Sequence, residues 1–366
     1  MSPTHAAISP SVVSPGSAPA DDVILEVRDL VTGFDTDIGR LVAVDGVSFK
    51  VHRSRTLGIV GESGCGKSVT AFSIMRLLPQ PMGHILGGQI LFEGRDLTKL
   101  PPEEMYQIRG GRIGMIFQEP MTALNPVHSI GRQLSEVFLI HCTTDKADAW
   151  RRGIEMLKKV GIPVPEIRMS EYPHQLSGGM RQRVVIAMAL ACEPAVVIAD
   201  EPTTALDVTI QAQILELMQS LQRDMGLAIV LITHDLGVIA ETCNDVVVMY
   251  AGRVAEAGPV KNIFQHPSHP YTRGLLDSIP VLDHPRKTRL RVIEGMVPGL
   301  KDLPAGCRFQ NRCPYRVDQC AVQPPLEEVE PDHFTACWRW RELPPREPRR
   351  AAPGEQTANE RGLNPP

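Results

Sequence analysis

The stretch Gly61-Glu62-Ser63-Gly64-Cys65-Gly66-Lys67-Ser68 fits the pattern G-x-x-x-x-G-K-S and follows the apolar run Leu57-Gly58-Ile59-Val60. A buried strand feeding a glycine-rich turn and then a helix, from Ser68 to about Leu78, is the setting in which this pattern cradles phosphate. Glycines let the backbone curl around an anion, so that successive N–H groups and the positive end of the helix face it. Residues Gly61 to Val69 are therefore expected to bind ATP. Lys67 reaches the β- and γ-phosphates, and Ser68 offers a hydroxyl to Mg²⁺.

Composition sets the limits around that loop. A chain of 366 residues, 43% hydrophobic and 22% charged, has the length of about two domains and can bury a sizeable core. A formal net charge of −4 with no basic stripe gives no reason to expect nucleic acid as a partner. The longest strongly apolar run, Val184 to Cys192, is too short to span a bilayer and is closed by Glu193-Pro194. Residues 1–22 carry Ser, Pro and Ala without the basic start and apolar block of a secretion signal. They are expected to be a disordered tail, as are residues 341–366, rich in Pro, Arg and Glu.

Between the tails the pattern alternates. Val23–Val27, Leu41–Val44 and Val47–Val51 are short β-rich segments, expected to form an antiparallel sheet ahead of the phosphate-loop strand. Gly88–Gly94 and Ile113–Phe117 read as further strands, the second ending at Gln118. Residues 119–190 become helical and amphipathic, with Ile130, Leu134, Val137 and Phe138 on one face, and are expected to be a helical subdomain. Ala195–Ala199 is then a buried strand that ends in Asp200-Glu201. Thr209–Met225 is a helix with Ile210, Ile214, Leu217 and Leu221 on one stripe, and Leu227–Ile232 is a strand that delivers Thr233-His234-Asp235. Strands alternating with helices, with polar residues at the strand ends, describe an α/β domain that binds its ligand at the carboxyl edge of the sheet.

Transferring the γ-phosphoryl of ATP to water requires a cradle, a metal, a group that orients the water and donors for the developing charge. Asp200 is placed to hold Mg²⁺ with Ser68, leaving Glu201 free as the base or water-orienting carboxylate. His234 is placed to donate to the γ-phosphate.

Together these segments resemble the ATP-binding subunits of ABC (ATP-binding cassette) transporters. The deciding segment is Leu176-Ser177-Gly178-Gly179-Met180, similar to the family signature with Met where Gln is commoner. The resemblance implies a P-loop α/β fold with a mixed core sheet, an antiparallel β subdomain and a helical subdomain. It also implies that Ser177, Gly178, Gly179 and Met180 close on ATP held by a second subunit, and that Gln118 is the Q-loop residue touching Mg²⁺. Ala205-Leu206-Asp207 matches the D-loop and His234 the switch histidine. The aromatic that stacks on adenine in this family would be Phe34 or, by position, Ile38.

Gln118-Glu119-Pro120-Met121-Thr122-Ala123-Leu124-Asn125-Pro126 and His266-Pro267-Ser268-His269-Pro270-Tyr271-Thr272-Arg273 narrow the resemblance to oligopeptide, dipeptide and nickel importers. That branch implies two membrane permeases, a second ATPase chain of the same or another kind, an extracytoplasmic binding protein, and a place on the cytoplasmic face of the cell membrane. Peptide is the expected cargo, with nickel or another small solute as alternative; a cassette ATPase acting outside transport is a more distant one. The domain reading is an ATPase domain over residues 23–265 and a carboxyl-terminal domain over 266–340.

Eight cysteines are spread unevenly, and four of them, Cys307, Cys313, Cys320 and Cys337, crowd into that last domain. In a reducing compartment such crowding reads as a metal site rather than a disulfide framework. No C-x₂-C pair of a zinc ribbon is present, and the four thiols with a following Pro314 suit a [4Fe–4S] cluster, with zinc as alternative.

Overall fold

The computed structural model describes residues 22–119, 123–204, 206–279 and 292–345. Pro120, Met121 and Thr122 after Gln118, Ala205 of the Ala205-Leu206-Asp207 motif, and the tails at 1–21 and 346–366 lie outside the described residues. Strands β1 (Val23–Thr36) and β2 (Gly39–His52) form a long antiparallel hairpin. The chain leaves it as β3 (Thr56–Val60) and helix α1 (Lys67–Met75), then returns as β4 (Gly83–Phe92) and β5 (Arg95–Asp96). The first sheet has the order β2-β1-β4-β5. Helix α1 stops at Met75, short of the expected Leu78, because Arg76 takes a left-handed backbone (φ 50°) that turns the chain out of the helix.

The second sheet carries the chemistry. Helix α2 (Pro102–Ile108) leads to β6 (Ile113–Ile116); β7 (Val196–Asp200), β8 (Ala228–Thr233), β9 (Asp245–Tyr250) and β10 (Arg253–Pro259) follow in the later half. Strands β11 (Glu327–Glu330) and β12 (His333–Thr335) complete the order β11-β12-β10-β9-β3-β8-β7-β6. The strands from β9 to β6 run parallel. Every residue of β3, β7 and β8 is buried, which is why these segments read as unbroken apolar runs rather than alternating ones.

The two faces of this sheet are covered differently. On one, the antiparallel sheet and α1 bury Leu25, Leu30, Ile74 and Ile90 against Ile59, Ile198 and Val230. On the other lie α3 (Ile130–His141), α4 (Lys146–Lys159), α5 (Pro165–Arg168), α6 (Gly178–Leu190) and α7 (Val208–Met225). Ser129 starts α3 by accepting the Arg132 N–H, and Ile130, Leu134 and Phe138 form its buried stripe. Helix α7 buries Ile214, Met218 and Leu221 fully, while Ile210 and Leu217 of the expected stripe are only partly covered. Gly226 closes it in the left-handed conformation (φ 65°). Helix α8 (Leu236–Thr242) follows β8.

The carboxyl-terminal residues are sewn to the core sheet rather than hung from it. β12 pairs with β10, placing Glu256 opposite Thr335. The fully buried Glu256 carboxylate accepts the Ser268 N–H at 2.6 Å and the His269 N–H at 3.0 Å, and lies 2.8 Å from His333 Nε2. That carboxylate explains how the segment His266–Arg273, which leads into α10 (Pro270–Asp277), is fixed after α9 (Val260–Gln265).

Candidate active site

Steric necessity fixes the phosphate loop between β3 and α1. Gly61 has φ 154°, and a Cβ there would sit 2.2 Å from the Met249 carbonyl oxygen. Gly66, at the start of α1, has φ 100°, and a Cβ there would meet the Ala43 carbonyl at 2.8 Å. Only glycine meets both demands, conformation and space. Ser63 and Gly64 are exposed at the tip while Cys65 is fully buried beneath. Lys67 is 5% exposed, and its Nζ donates to the carbonyls of Gly61 at 2.8 Å and Glu62 at 3.2 Å. An ammonium folded over its own loop is positioned to meet phosphate oxygens arriving above the amides.

The sheet order then brings the other expected residues beside the loop. Neighbouring strands lie about 4.8 Å apart, and β3, β8, β7 and β6 are neighbours that all run the same way. Their carboxyl ends present the phosphate loop, His234, Asp200-Glu201 and Gln118 in one row. Ser68 Oγ donates to Asp200 Oδ1 at 3.1 Å, joining α1 to β7. Burial pushes the Asp200 carboxyl above its ordinary range; the Ser68 hydroxyl opposes this and the neighbouring Glu201 adds to it. A hydroxyl and a carboxylate side by side are the hard oxygen donors that suit Mg²⁺.

One atom gathers the rest. Glu201 Oε2 accepts Gln118 Nε2 at 3.2 Å and Thr204 Oγ1 at 2.9 Å, and His234 Nδ1 lies 3.6 Å from it. Glu201 itself has a left-handed backbone (φ 47°), with its N–H given to the Ile232 carbonyl at 2.9 Å. Such strain in a non-glycine residue persists where its surroundings hold it. Here it turns adjacent carboxylates apart: Asp200 is 2% exposed, while the Glu201 side chain keeps 17% of its surface.

The Leu176–Met180 segment opens α6 in the helical subdomain. Ser177 caps that helix by accepting the Met180 N–H at 3.3 Å, and Ser177 and Gly178 are exposed. Gln182 Nε2 donates to the Pro202 carbonyl at 2.6 Å, linking α6 to the loop after Glu201. Asp207 caps α7 by accepting the Ile210 N–H at 3.0 Å. Of the two adenine-stacking candidates, Phe34 is half-buried opposite Leu41 and Gly83, while Ile38 stands at the tip of the first hairpin, 58% exposed.

All four carboxyl-terminal cysteines line one cavity, with His269, Phe309 and Trp338. Burial pushes the Cys313 thiol up to about 11 and the Cys337 thiol to about 12, and the charges of the other cysteines push the same way. Among the described residues no three His, Cys, Asp or Glu side chains are grouped to hold a metal ion. Of the other cysteines, Cys142 Sγ lies 2.8 Å from Cys192 Sγ beside a second cavity, which Arg151, Arg152 and Glu155 also line.

Three residues around the site escape the sequence reading. Thr204 was signalled only by its closeness to the Asp200-Glu201 pair. Tyr271 and Arg312 act on the phosphate loop from the carboxyl-terminal region: the Glu62 N–H donates to Tyr271 Oη at 2.9 Å, and Arg312 pairs with the Glu62 carboxylate at 2.7 Å.

Comparison with known proteins agrees with this geometry. Residues 44–204 match the family described as ABC transporter, and residues 255–320 match the oligopeptide/dipeptide transporter carboxyl-terminal region. A probable peptide ABC transporter ATP-binding protein of Sinorhizobium fredii is 52% identical over 328 residues, 89% of this chain and 98% of the relative. The oligopeptide transport ATP-binding protein OppD of Escherichia coli is 49% identical over 318 residues, 87% and 94% of the two chains. Among solved structures, the dimeric bacterial ABC transporter cassette MJ0796 is 26% identical with a TM-score of 0.57, covering 64% of this chain and 98% of its own.

Proposed function

This chain belongs to the ABC transporter family of ATP-binding subunits, and from that premise we propose that it hydrolyses ATP to drive peptide import through a membrane complex. The enzymatic half is carried by one observation, the convergence of Gln118, Thr204 and His234 on a single Glu201 oxygen beside the phosphate loop. The Gly61–Val69 loop and Lys67 hold the triphosphate. Glu201 takes the proton of the attacking water or orients it, steadied by Thr204, and His234 donates to the γ-phosphate. Mg²⁺, held by Ser68 and Gln118 and, through water, by Asp200, would neutralise charge on the phosphate oxygens. None of these roles asks anything of the cargo, which the ATPase does not touch.

The peptide assignment rests on the carboxyl-terminal match and on relatives named for peptide transport. Among the described residues no helix is long and apolar enough to cross a membrane, and we assign the membrane-spanning permeases to other chains. We place the subunit on the cytoplasmic face beneath two of them, paired with a second ATPase chain and served by an extracytoplasmic peptide-binding protein. The exposed start of α6 is the surface that would close on the partner's ATP, a reading supported by the dimeric form of the similar cassette MJ0796. Cys307, Cys313, Cys320 and Cys337 are proposed to hold a [4Fe–4S] cluster. What supports a shared site is that all four thiols line one cavity, and what favours a cluster over zinc is the absence of the C-x₂-C pair of a zinc ribbon. It would supply cross-linking of a region with little core of its own, and no step of hydrolysis runs through it.

The test is purification from membranes followed by reconstitution in vesicles. The expected result is co-purification with two permeases and a second cassette chain, with ATP-dependent uptake of labelled peptide that Glu201→Gln abolishes. Recovery on ribosomes or DNA, with no uptake of any peptide, would overturn the transport reading and leave the ATPase standing.

A further inference from the structure

The short loop between Cys307 and Cys313 carries Arg308, Phe309 and Arg312; Phe309 lines the cysteine cavity and packs on Tyr250, while the two arginines reach out to Ala251, Asp45 and Glu62. Arg312 is the deeper of the two arginines, with 5% of its side chain exposed against 11% for Arg308. Its two terminal nitrogens meet the two Glu62 oxygens at 2.7 and 3.0 Å in a parallel fork. The remaining donor capacity goes to the carbonyls of Ile293, Glu294 and Gly295 and to Tyr250 Oη. The guanidinium also lies over the rings of Tyr250 and Phe309, at 5.8 and 6.0 Å. Tyr271, fully buried and packed against both rings, accepts the Glu62 N–H. On the same side Arg308 donates to the Ala251 carbonyl and to Asp45, and the Gly252 N–H donates to the Cys65 carbonyl at 2.9 Å.

Glu62 is an awkward residue for its position. It is the second residue of a loop whose amides must welcome several negative charges, and a bare carboxylate there repels them. A buried, fully engaged arginine fork both cancels that charge and fixes where the carboxylate lies. We infer that Arg312 is a positioning residue for ATP binding, that it acts through Glu62, and that the Cys307–Cys313 loop is the frame which holds it there. The state of the four thiols is thereby read by the phosphate loop. This inference rests on the ATPase assignment but not on what the thiols hold.

The test uses the full-length chain, with a fluorescent ATP analogue for affinity and amide hydrogen exchange for loop order. Arg312→Ala is expected to weaken nucleotide binding by about tenfold, raising KM for ATP while kcat changes little. In a Glu62→Gln background the same substitution is expected to cost less than about twofold, since no charge is left to neutralise. A purely structural arginine would show no such rescue. Arg312→Lys, which keeps the charge and loses the fork, falls between, and serves if the alanine variant does not fold. Cys313→Ser is expected to speed exchange at the amides of residues 61–66. Unchanged affinity in a folded Arg312→Ala chain, or a cost that survives Glu62→Gln, overturns the positioning role. Unchanged exchange in Cys313→Ser overturns the link to the thiols.

Discussion

Two helix starts in this chain are proposed to face phosphate, and they are built in opposite ways. At α1 the loop is closed in on itself: Gly61 and Gly66 have no room for a side chain, Lys67 is buried, and Arg312 and Tyr271 brace Glu62 from behind. At α6 the start is open: Ser177 and Gly178 are exposed, and a Cβ on Gly178 would meet nothing nearer than Leu206 Cδ2 at 3.8 Å. Gly61 and Gly66 of the first are demanded by the chain's own packing; in the second Gly178 is not, while a Cβ on Gly179 would meet Ile210 Cγ2 at 3.0 Å. Gly178 is left free by the fold yet kept bare, which fits the proposal that the nucleotide of a second subunit approaches it from outside. On the proposed reading one start is a finished half-site and the other is completed by a partner.

The largest effect should come from the residue that serves neither helix start. Glu201→Gln leaves both intact while removing the carboxylate on which Gln118, Thr204 and His234 converge. Turnover is expected to fall by about 10²–10⁴-fold with ATP still bound, so that the two half-sites stay closed on one another. ATPase assay with size-exclusion chromatography in ATP checks both parts; turnover near the native rate would remove Glu201 from its role.

Gly178→Asp breaks the comparison from the open side. The space around Gly178 admits a side chain, so the chain should fold and keep its own affinity for ATP. A carboxylate facing the partner's γ-phosphate should nevertheless cut turnover by roughly 10²-fold, the scale of losing one transition-state contact. Equal loss of ATP affinity in the isolated subunit would mean that α6 serves this chain's own nucleotide instead.

From the closed side, Lys67→Ala should weaken ATP binding by about 1.5–3 kcal/mol, roughly 10- to 150-fold. Isothermal titration measures it. Because Lys67 donates to the Gly61 and Glu62 carbonyls, part of that loss reflects a looser loop, and amide exchange separates the two contributions.

The same contrast explains what could be read from the sequence. The phosphate loop was legible because its glycines answer to local backbone geometry, and the runs of β3, β7 and β8 because two-sided burial leaves no polar positions. The row of Gln118, Asp200-Glu201 and His234 was legible because each follows such a run. The bracing of Glu62 was not: Tyr271 lies 209 positions away and Arg312 lies 250 away, and neither belongs to a local pattern. The early end of α1 also escaped, since an arginine in the left-handed conformation carries no sequence signal of the kind that Gly226 gives to α7. The carboxyl-terminal strands were missed because β12 is three residues long and gains its meaning only by pairing with β10.

The smallest effect separates two roles held by one hydroxyl. Ser177 Oγ caps α6 by accepting the Met180 N–H, and it is also exposed where the partner's phosphate would lie. Replacing a serine cap by alanine costs about 1 kcal/mol of stability, but by glycine only a few tenths. Ser177→Ala should therefore lower the midpoint of denaturant unfolding measurably while Ser177→Gly barely moves it. Both remove the hydroxyl, so both should reduce ATP turnover in the assembled pair to the same degree. If turnover instead tracks stability, falling in the alanine variant and holding in the glycine one, the hydroxyl is only a cap, and recognition of the partner's nucleotide passes to the backbone N–H groups of Gly178 and Gly179.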